Sequence, residues 1–134
     1  MYIIICLDDN NGLAFNHRRQ SQDRIVAEDI RKTVGEKKLW ITDYSRKLFQ
    51  AVSNLEISEN PKEEAKKGEY VFQELETLDT DDEQIEQFII YRWNRVYPAD
   101  VSVEIGAEWK LTETEKAEMK ERIIRYLRKN GYAY

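Results

Sequence analysis

The sequence predicts a single α/β domain spanning residues 1–134, with a central mixed sheet flanked by helices. The length of 134 residues suits one hydrophobic core. The segment YIIICLD (2–8) is almost continuously apolar, as expected of a strand buried on both faces. The segment FIIYRWNRV (88–96) is rich in β-branched and aromatic residues and predicts a second inner strand.

The first half of the chain alternates strand and helix patterns. Turn residues DDNNG (8–12) end the first strand. A helix is then predicted, with Ser21 as its N-cap and Gly35 as its stop. Its apolar face repeats every fourth residue at Val26, Ile30 and Val34. KLWIT (38–42) predicts another short strand, and a second helix begins at Asp43 or Tyr44.

The second half predicts strands in EYVFQEL (69–75) and VSVEI (101–105) around the inner strand. The tail predicts a C-terminal helix over Thr112–Lys129, because Thr112 and Glu115 have the spacing of a capping box. Its apolar stripe contains Met119, Ile123 and Leu127. This stripe either docks on the sheet or forms the surface of a homo-oligomer.

Composition and charge limit the classes of partner. The net charge is −5, and residues 53–88 contain twelve acids against three lysines. A nucleic-acid polymer is not the expected partner, because its binders normally carry a basic stripe. No apolar run approaches the roughly 20 residues of a membrane span. With one cysteine and no recognisable signal peptide, we expect a cytoplasmic protein.

The usual catalytic and cofactor motifs are absent from the sequence. Its five glycines are too far apart for a phosphate-cradling loop, so no cofactor is expected. A single histidine, His17, and a single cysteine, Cys6, do not make the usual zinc sites. Cys6 is interpreted as a small core residue. Asp8, Asp9 and Asn10 could supply oxygens to a hard cation, but a strand-ending turn is the favoured interpretation.

The stretch YRWNRVYPAD (91–100) carries the candidate ligand site. Arg92 and Asn94 share one face of the predicted strand and could meet a phosphate, a carboxylate or a base edge. The other half of the site is expected from Arg19 and Arg24, with Asp23 orienting a guanidinium or accepting from a ligand N–H. The alternative is structural: the aromatic residues pack under a helix while the polar ones lie in solvent or pair with the acidic middle.

The order of these features resembles the dihydrofolate reductase family. The segments are IIICLDDNNGLAFN, then SQDRIVAEDIRKTVGEKKLWITDYSRKLF, with YPADVSVEI and EWKL similar to late strands of that family. The resemblance implies a shortened dihydrofolate-reductase-like fold. It puts Asp23 near the substrate-binding acid, Ser45 near the threonine beside the cofactor phosphates, and Asp100 at a late aspartate. Asp43 stands where the family has an arginine, and the family's Gly-Gly turn for the cofactor pyrophosphate is missing.

A second resemblance is to a group of small uncharacterised proteins from Gram-positive bacteria, and it rests on MYIIICLDDNNG and YRWNRVYPAD. Some members of that group carry a ribonuclease Z label. That activity needs an H-x-H-x-D-H metal motif, which one histidine cannot supply.

Three functions remain open at this point. The favoured one is a non-catalytic binding module for a small anionic, nucleotide-like ligand or for a protein partner. The first alternative is a degenerate NADPH-dependent reductase of the dihydrofolate reductase type, which the missing glycines disfavour. The second is an acidic inhibitor or interaction protein from a mobile element.

Overall fold

The structure is a computed structural model that describes residues 1–93, 95–105, 109–116 and 123–129. The strands of the main sheet are β1 (Tyr2–Leu7), β4 (Leu39–Ile41), β5 (Leu55–Ile57), β6 (Tyr70–Phe72), β7 (Gln87–Arg92), β9 (Trp109–Lys116) and β10 (Ile123–Lys129). The strands of a small sheet are β2 (Gly12–Phe15), β3 (Arg18–Arg19) and β8 (Val101–Ser102). The helices are α1 (Arg24–Val34), a 3₁₀ helix (Asp43–Phe49) and the single turn α2 (Pro61–Glu64).

The main sheet has the strand order β5-β4-β6-β1-β7-β10-β9 among the described residues. β1 lies at its centre, parallel to β6 on one side and to β7 on the other. β4 and β5 continue the parallel part, whereas β10 and β9 add an antiparallel part beyond β7. The predicted α/β class with a central mixed sheet is confirmed, and the two segments that predicted inner strands supply β1 and β7, the second of which ends at Arg92.

Hydrophobic clusters cover the two faces of the main sheet. On one face, α1 and the 3₁₀ helix pack against the sheet through a cluster that includes Val26, Ile30, Phe49, Phe72 and Tyr91. On the other face, a second cluster contains Leu13 from β2, Leu78 and Ile85 from the segment before β7, and Val103 directly after β8. β1 supplies residues to both clusters, which explains why its sequence is continuously apolar.

The helix predicted over Thr112–Lys129 is wrong: the tail contains strands β9 and β10. β10 pairs with β7 from Ile123 opposite Arg92 to Arg128 opposite Gln87. Without β10, the inner strand β7 would leave one row of backbone N–H and C=O groups without strand partners. This long-range pairing outweighs the local helix signal of the capping box, which is a weak determinant on its own.

The start of α1 also differs from the prediction. Asp23, and not Ser21, is the N-cap, and its Oδ1 accepts a hydrogen bond of 2.6 Å from the backbone N–H of Ile25. Aspartate and serine cap helices about equally well, so residue type alone does not choose between the two positions. The predicted stop is correct, because Gly35 has a φ of 59° and its N–H donates to the carbonyl of Arg31.

Candidate functional site

The predicted site residues are distributed over three places. Arg19 and Asp23 line a cavity between α1 and the carboxyl ends of β1, β6 and β7. Arg24 lines a separate groove between α1 and the 3₁₀ helix. Arg92 belongs to the other face of β7, because side chains alternate along a strand and Tyr91 packs on the α1 face. Asn94 lies outside the described residues.

Arg92 contacts the turn that follows β1. Its Nη1 donates to the carbonyl oxygen of Asp8 at 2.7 Å and to Oδ1 of Asn11. A half-buried guanidinium with these partners stabilises the turn. The structure therefore supports a structural role for Arg92.

Asp8 is fully buried at the end of β1 and organises the loops around it. Its Oδ1 accepts from the backbone N–H groups of Asn10 and Gly12, both at 2.8 Å. Its Oδ2 accepts from Gln20 Nε2 at 2.9 Å and from the backbone N–H of Tyr97 at 3.0 Å. The turn interpretation of this segment is the better one, and the described residues contain no cluster of His, Cys, Asp or Glu able to hold a metal.

The environment of Asp8 favours its charged form. Burial alone would raise the pKa of this carboxyl, but the N–H donors from the backbone and from Gln20 outweigh burial and lower the pKa below the ordinary value of 3.8. A glycine is required at position 12 because an added Cβ would lie 2.7 Å from both Asp8 Oδ2 and Gln20 Nε2. The turn DDNNG is thus folded so that its backbone N–H groups at Asn10 and Gly12 donate to the Asp8 carboxylate.

The cavity wall contains a two-point ion pair between Arg19 and Glu74. Arg19 Nε lies 2.7 Å from Glu74 Oε2, and Arg19 Nη2 lies 3.1 Å from Glu74 Oε1. The Ser45 hydroxyl donates to Glu74 Oε1 at 2.6 Å. Arg19 also stacks on the ring of Tyr44 at 4.4 Å and donates to Gln22 at 3.1 Å. Arg19, one of the side chains predicted to meet an anion, is therefore already neutralised by a carboxylate.

The lining of the cavity combines an apolar wall with several hydrogen-bond acceptors. Val26, Ile30, Phe49, Phe72 and Trp93 form the apolar wall. Asp23, Gln20 and Glu74 contribute polar groups, and Gln20 Oε1 is buried without a hydrogen-bond partner among the described residues. The cavity offers only about 20 Å³ to the centres of water molecules, which is space for one or two waters.

Cys6 also lines this cavity, at the end of β1. Burial raises the pKa of its thiol strongly, and the nearby Glu74 carboxylate raises it further while Arg19 opposes the effect. The thiol is therefore protonated at neutral pH, which disfavours a nucleophilic role.

The groove between α1 and the 3₁₀ helix carries positive charge. Its described lining includes Arg24, Arg31 and Lys47, with Glu28 as the acidic member. Glu28 pairs with Arg31 on α1. Ala27, Leu48 and Phe49 line both this groove and the cavity, so the two spaces are neighbours.

A larger cleft of about 670 Å³ lies at the carboxyl ends of β4, β5 and β6. Its lining within the described residues contains Lys62 and five carboxylates, namely Asp43, Glu59, Glu63, Glu74 and Glu76. Arg19 offsets the charge of Glu74, and Arg46 pairs with Asp43 at 2.8 Å. The excess of negative charge disfavours the phosphates of a dinucleotide in this cleft.

The comparisons with known proteins bear on the fold. No protein-family profile and no curated protein sequence matches the chain. Among solved structures, it is similar to dihydrofolate reductase from Enterococcus faecalis complexed with NADP(H) and RAB-propyl. The TM-score is 0.61 at 6% sequence identity, over 96% of this chain and 95% of that chain. The chain therefore has a dihydrofolate-reductase-like fold, and at this identity the likeness shows the fold alone.

Other expectations can be compared with the described residues. Ser45, placed by the resemblance beside cofactor phosphates, is buried with its hydroxyl on the Glu74 carboxylate. Asp100 is exposed, and its Oδ2 accepts from the backbone N–H of Asn16 at 3.1 Å. No helix within these residues is long and apolar enough to cross a bilayer. The second resemblance, to Gram-positive proteins labelled ribonuclease Z, receives no support from the comparisons.

Sequence reasoning missed Glu74 and Gln20. Glu74 stands in the acidic run of residues 53–88, where a carboxylate has the pattern of a solvated surface. Gln20 lies in a polar loop without any motif. The available signal was positional, because Glu74 is the second residue after the apolar YVF of β6 and therefore lies just beyond the carboxyl end of a strand.

Proposed function

We propose that the chain is a non-catalytic binding module for a small nucleotide-like ligand. A ring that bears N–H donors occupies the cavity, and an anionic group lies over the adjacent groove. The observation that carries this proposal is that a cavity with hydrogen-bond acceptors in its lining and a basic groove share Ala27, Leu48 and Phe49. The position also agrees with the general preference of ligands for the carboxyl ends of parallel strands.

The ring end is supported by the chemistry of the cavity. Asp23 and Gln20 present oxygens that can accept from ring N–H groups, and one of these oxygens is buried without a partner in the described structure. Phe49, Phe72 and Trp93 supply apolar surface for the faces of a ring. A nucleobase is larger than the present space, so binding requires the segment 21–22, which has no regular structure, to move outwards.

The anionic end is supported by the groove. Arg24 and Lys47 are exposed there, whereas Arg31 is engaged by Glu28. Two exposed cations facing one groove favour a phosphate or carboxylate more than two isolated surface charges would. Of the basic residues predicted from the sequence, the proposed anionic contact therefore keeps Arg24, omits Arg92 and Arg19, and adds Lys47.

The reductase alternative is favoured by the fold alone. A dinucleotide would have to place its phosphates in a cleft with five carboxylates and one lysine among its described lining residues. The glycines that would allow close approach of a pyrophosphate are also absent from the sequence. Both features favour binding without hydride transfer.

Calorimetric titration with guanosine monophosphate (GMP), guanosine and inorganic phosphate tests this function. Guanine presents adjacent N–H donors, so GMP is expected to bind more tightly than guanosine or phosphate. Lys47→Ala should weaken GMP binding about tenfold and leave guanosine unaffected. Asp23→Asn should weaken both, while asparagine still caps α1.

Arg18→Ala is the matched control, because Arg18 is exposed on β3 and lines none of the three spaces described above. Its affinity for GMP should equal that of the wild type. If no GMP binding is detected at millimolar concentration, or if Lys47→Ala and Arg18→Ala have equal effects, the proposal is wrong.

A further inference from the structure

The cavity and the acidic cleft are separated by a thin wall. Phe72, Gln73 and Glu74 line both spaces, so the end of β6 forms the body of this wall. Arg19 lines the cavity and Tyr44 lines the cleft, and the guanidinium of one lies over the ring of the other. The Arg19–Glu74 ion pair therefore lies inside the wall.

We propose that the Arg19–Glu74 ion pair is a partition that closes the passage between the cavity and the cleft and thereby limits the length of the ligand. A ligand in the cavity ends at the partition and cannot extend into the cleft. The inference refines the proposed binding function by naming the residues that determine ligand size, but its test needs no ligand.

The contacts of the pair explain why the partition stays closed. Glu74 accepts three hydrogen bonds, two from Arg19 and one from Ser45. Its side chain is 8% exposed and that of Arg19 is 20% exposed. Separating the two groups without a new partner would leave a charge in a poorly solvated site, which is strongly unfavourable.

The residues beside the pair restrict its movement further. The backbone N–H of Arg19 donates to the Tyr44 hydroxyl at 3.2 Å, and Arg19 Nη1 donates to Gln22. Arg19 is thus fixed at three points: its backbone bonds the Tyr44 hydroxyl, its guanidinium lies over the Tyr44 ring, and its Nη1 bonds Gln22. A partition held in this way excludes any group that must pass from the cavity towards the carboxyl ends of β4 and β5.

Cys6 provides a direct probe, since it is the only cysteine in the sequence and it lines the cavity. The full-length protein is labelled with N-ethylmaleimide and, separately, with the much longer fluorescein maleimide. The ratio of the long-reagent rate to the short-reagent rate is the readout. Because the thiol is mostly protonated, both reagents react slowly with the same small thiolate fraction, and a change in the thiol pKa cancels in the ratio of their rates.

The variant Arg19→Met with Glu74→Leu removes both charges together, which avoids an unpaired buried charge. If the partition exists, the rate ratio should rise at least tenfold over the wild type. The control, Glu86→Gln, removes the ion pair of Glu86 with the N-terminal ammonium, which lines neither the cavity, the groove nor the cleft, and it should leave the ratio unchanged.

Tyr44→Ala is the second variant, because Tyr44 is exposed and its loss should spare the fold. It removes the ring and the hydroxyl that hold Arg19, so the ratio should rise to an intermediate value. If the double variant folds and its rate ratio equals that of the wild type, the partition proposal is wrong. If the double variant does not fold, an unchanged ratio in Tyr44→Ala has the same consequence. A raised ratio without GMP binding would retain the partition and reject the proposed function.

Discussion

Gln20 Nε2 lies 2.9 Å from Asp8 Oδ2, and this hydrogen bond joins the segment before α1 to the turn after β1. Gln20 also lines the cavity, with its Oε1 buried and lacking a partner in the described part of the chain. The carboxylate that holds the loops thus also orients a polar group of the candidate site. The consequences for stability, pH dependence and binding can be measured separately.

Asp8→Asn is expected to lower the free energy of unfolding by about 2–4 kcal/mol. An amide replaces a buried carboxylate that receives four N–H donors, so charge-assisted bonds are lost and one amide N–H group faces other donors. Urea unfolding measures the difference. Asp9→Asn is the control, because Asp9 is exposed in the same turn and should change stability by less than about 0.5 kcal/mol. Equal losses in the two variants would contradict the role of Asp8.

The stabilisation by Asp8 should depend on pH in one direction. Its folded-state pKa lies below the ordinary value of 3.8, so the folded state favours the charged form. The contribution is therefore fully present above about pH 4 and is lost as the pH falls below the ordinary value and through the folded-state pKa. Unfolding curves of the wild type should show this decline, and Asp8→Asn should show a smaller one. Parallel curves for the two proteins would contradict the expectation.

Arg92→Met is expected to lower stability by about 1–2 kcal/mol and to leave GMP binding unchanged. The substitution removes the hydrogen bonds to Asp8 and Asn11 but retains the aliphatic packing. Arg18→Met, on the exposed edge of the small sheet, serves as the control and should be neutral. A loss of GMP affinity in Arg92→Met without a loss of stability would restore the ligand-binding interpretation of the YRWNRVYPAD stretch.

The protein is expected not to oxidise NADPH in the presence of dihydrofolate. The acidic cleft repels phosphates, and the Arg19–Glu74 pair lies between the cleft and the cavity. Loss of absorbance at the NADPH maximum, compared with a reaction without protein, is the measurement. Turnover above that background that is abolished by Asp23→Asn would establish the reductase alternative.

Elements of the fold could be predicted from the sequence where a segment carried one strong pattern of apolar residues. The continuous apolar sequences of β1 and β7 identified them as inner strands. The repeat of Val26, Ile30 and Val34 at every fourth position identified α1. The tail could not be predicted in this way. β10 is a strand because it completes the backbone hydrogen bonding of β7. This pairing joins segments that are far apart in sequence, so the local pattern of residues in the tail does not reveal it.

The candidate site was predicted only in part, for a similar reason. Arg19 and Asp23 do line one cavity, but Arg24 lines the neighbouring groove and Arg92 the opposite face of the sheet. The sequence shows which residues are charged, whereas the pairing of Arg19 with Glu74 spans 55 positions and depends on the fold. Long-range ion pairs decide which charges remain available to a ligand, and they are not readable from composition.

The most direct test of ligand binding at the cavity and groove is a titration of isotopically labelled protein with GMP, followed by amide chemical shifts in NMR spectra. The expected result is a saturable change concentrated at Ala27, Leu48 and Phe49, the residues shared by the two spaces. Lys47→Ala should need about tenfold more GMP to reach half of that change. Changes concentrated at Ser58, Asn60 and Lys62 in the acidic cleft, or no changes at millimolar GMP, would contradict the proposed site.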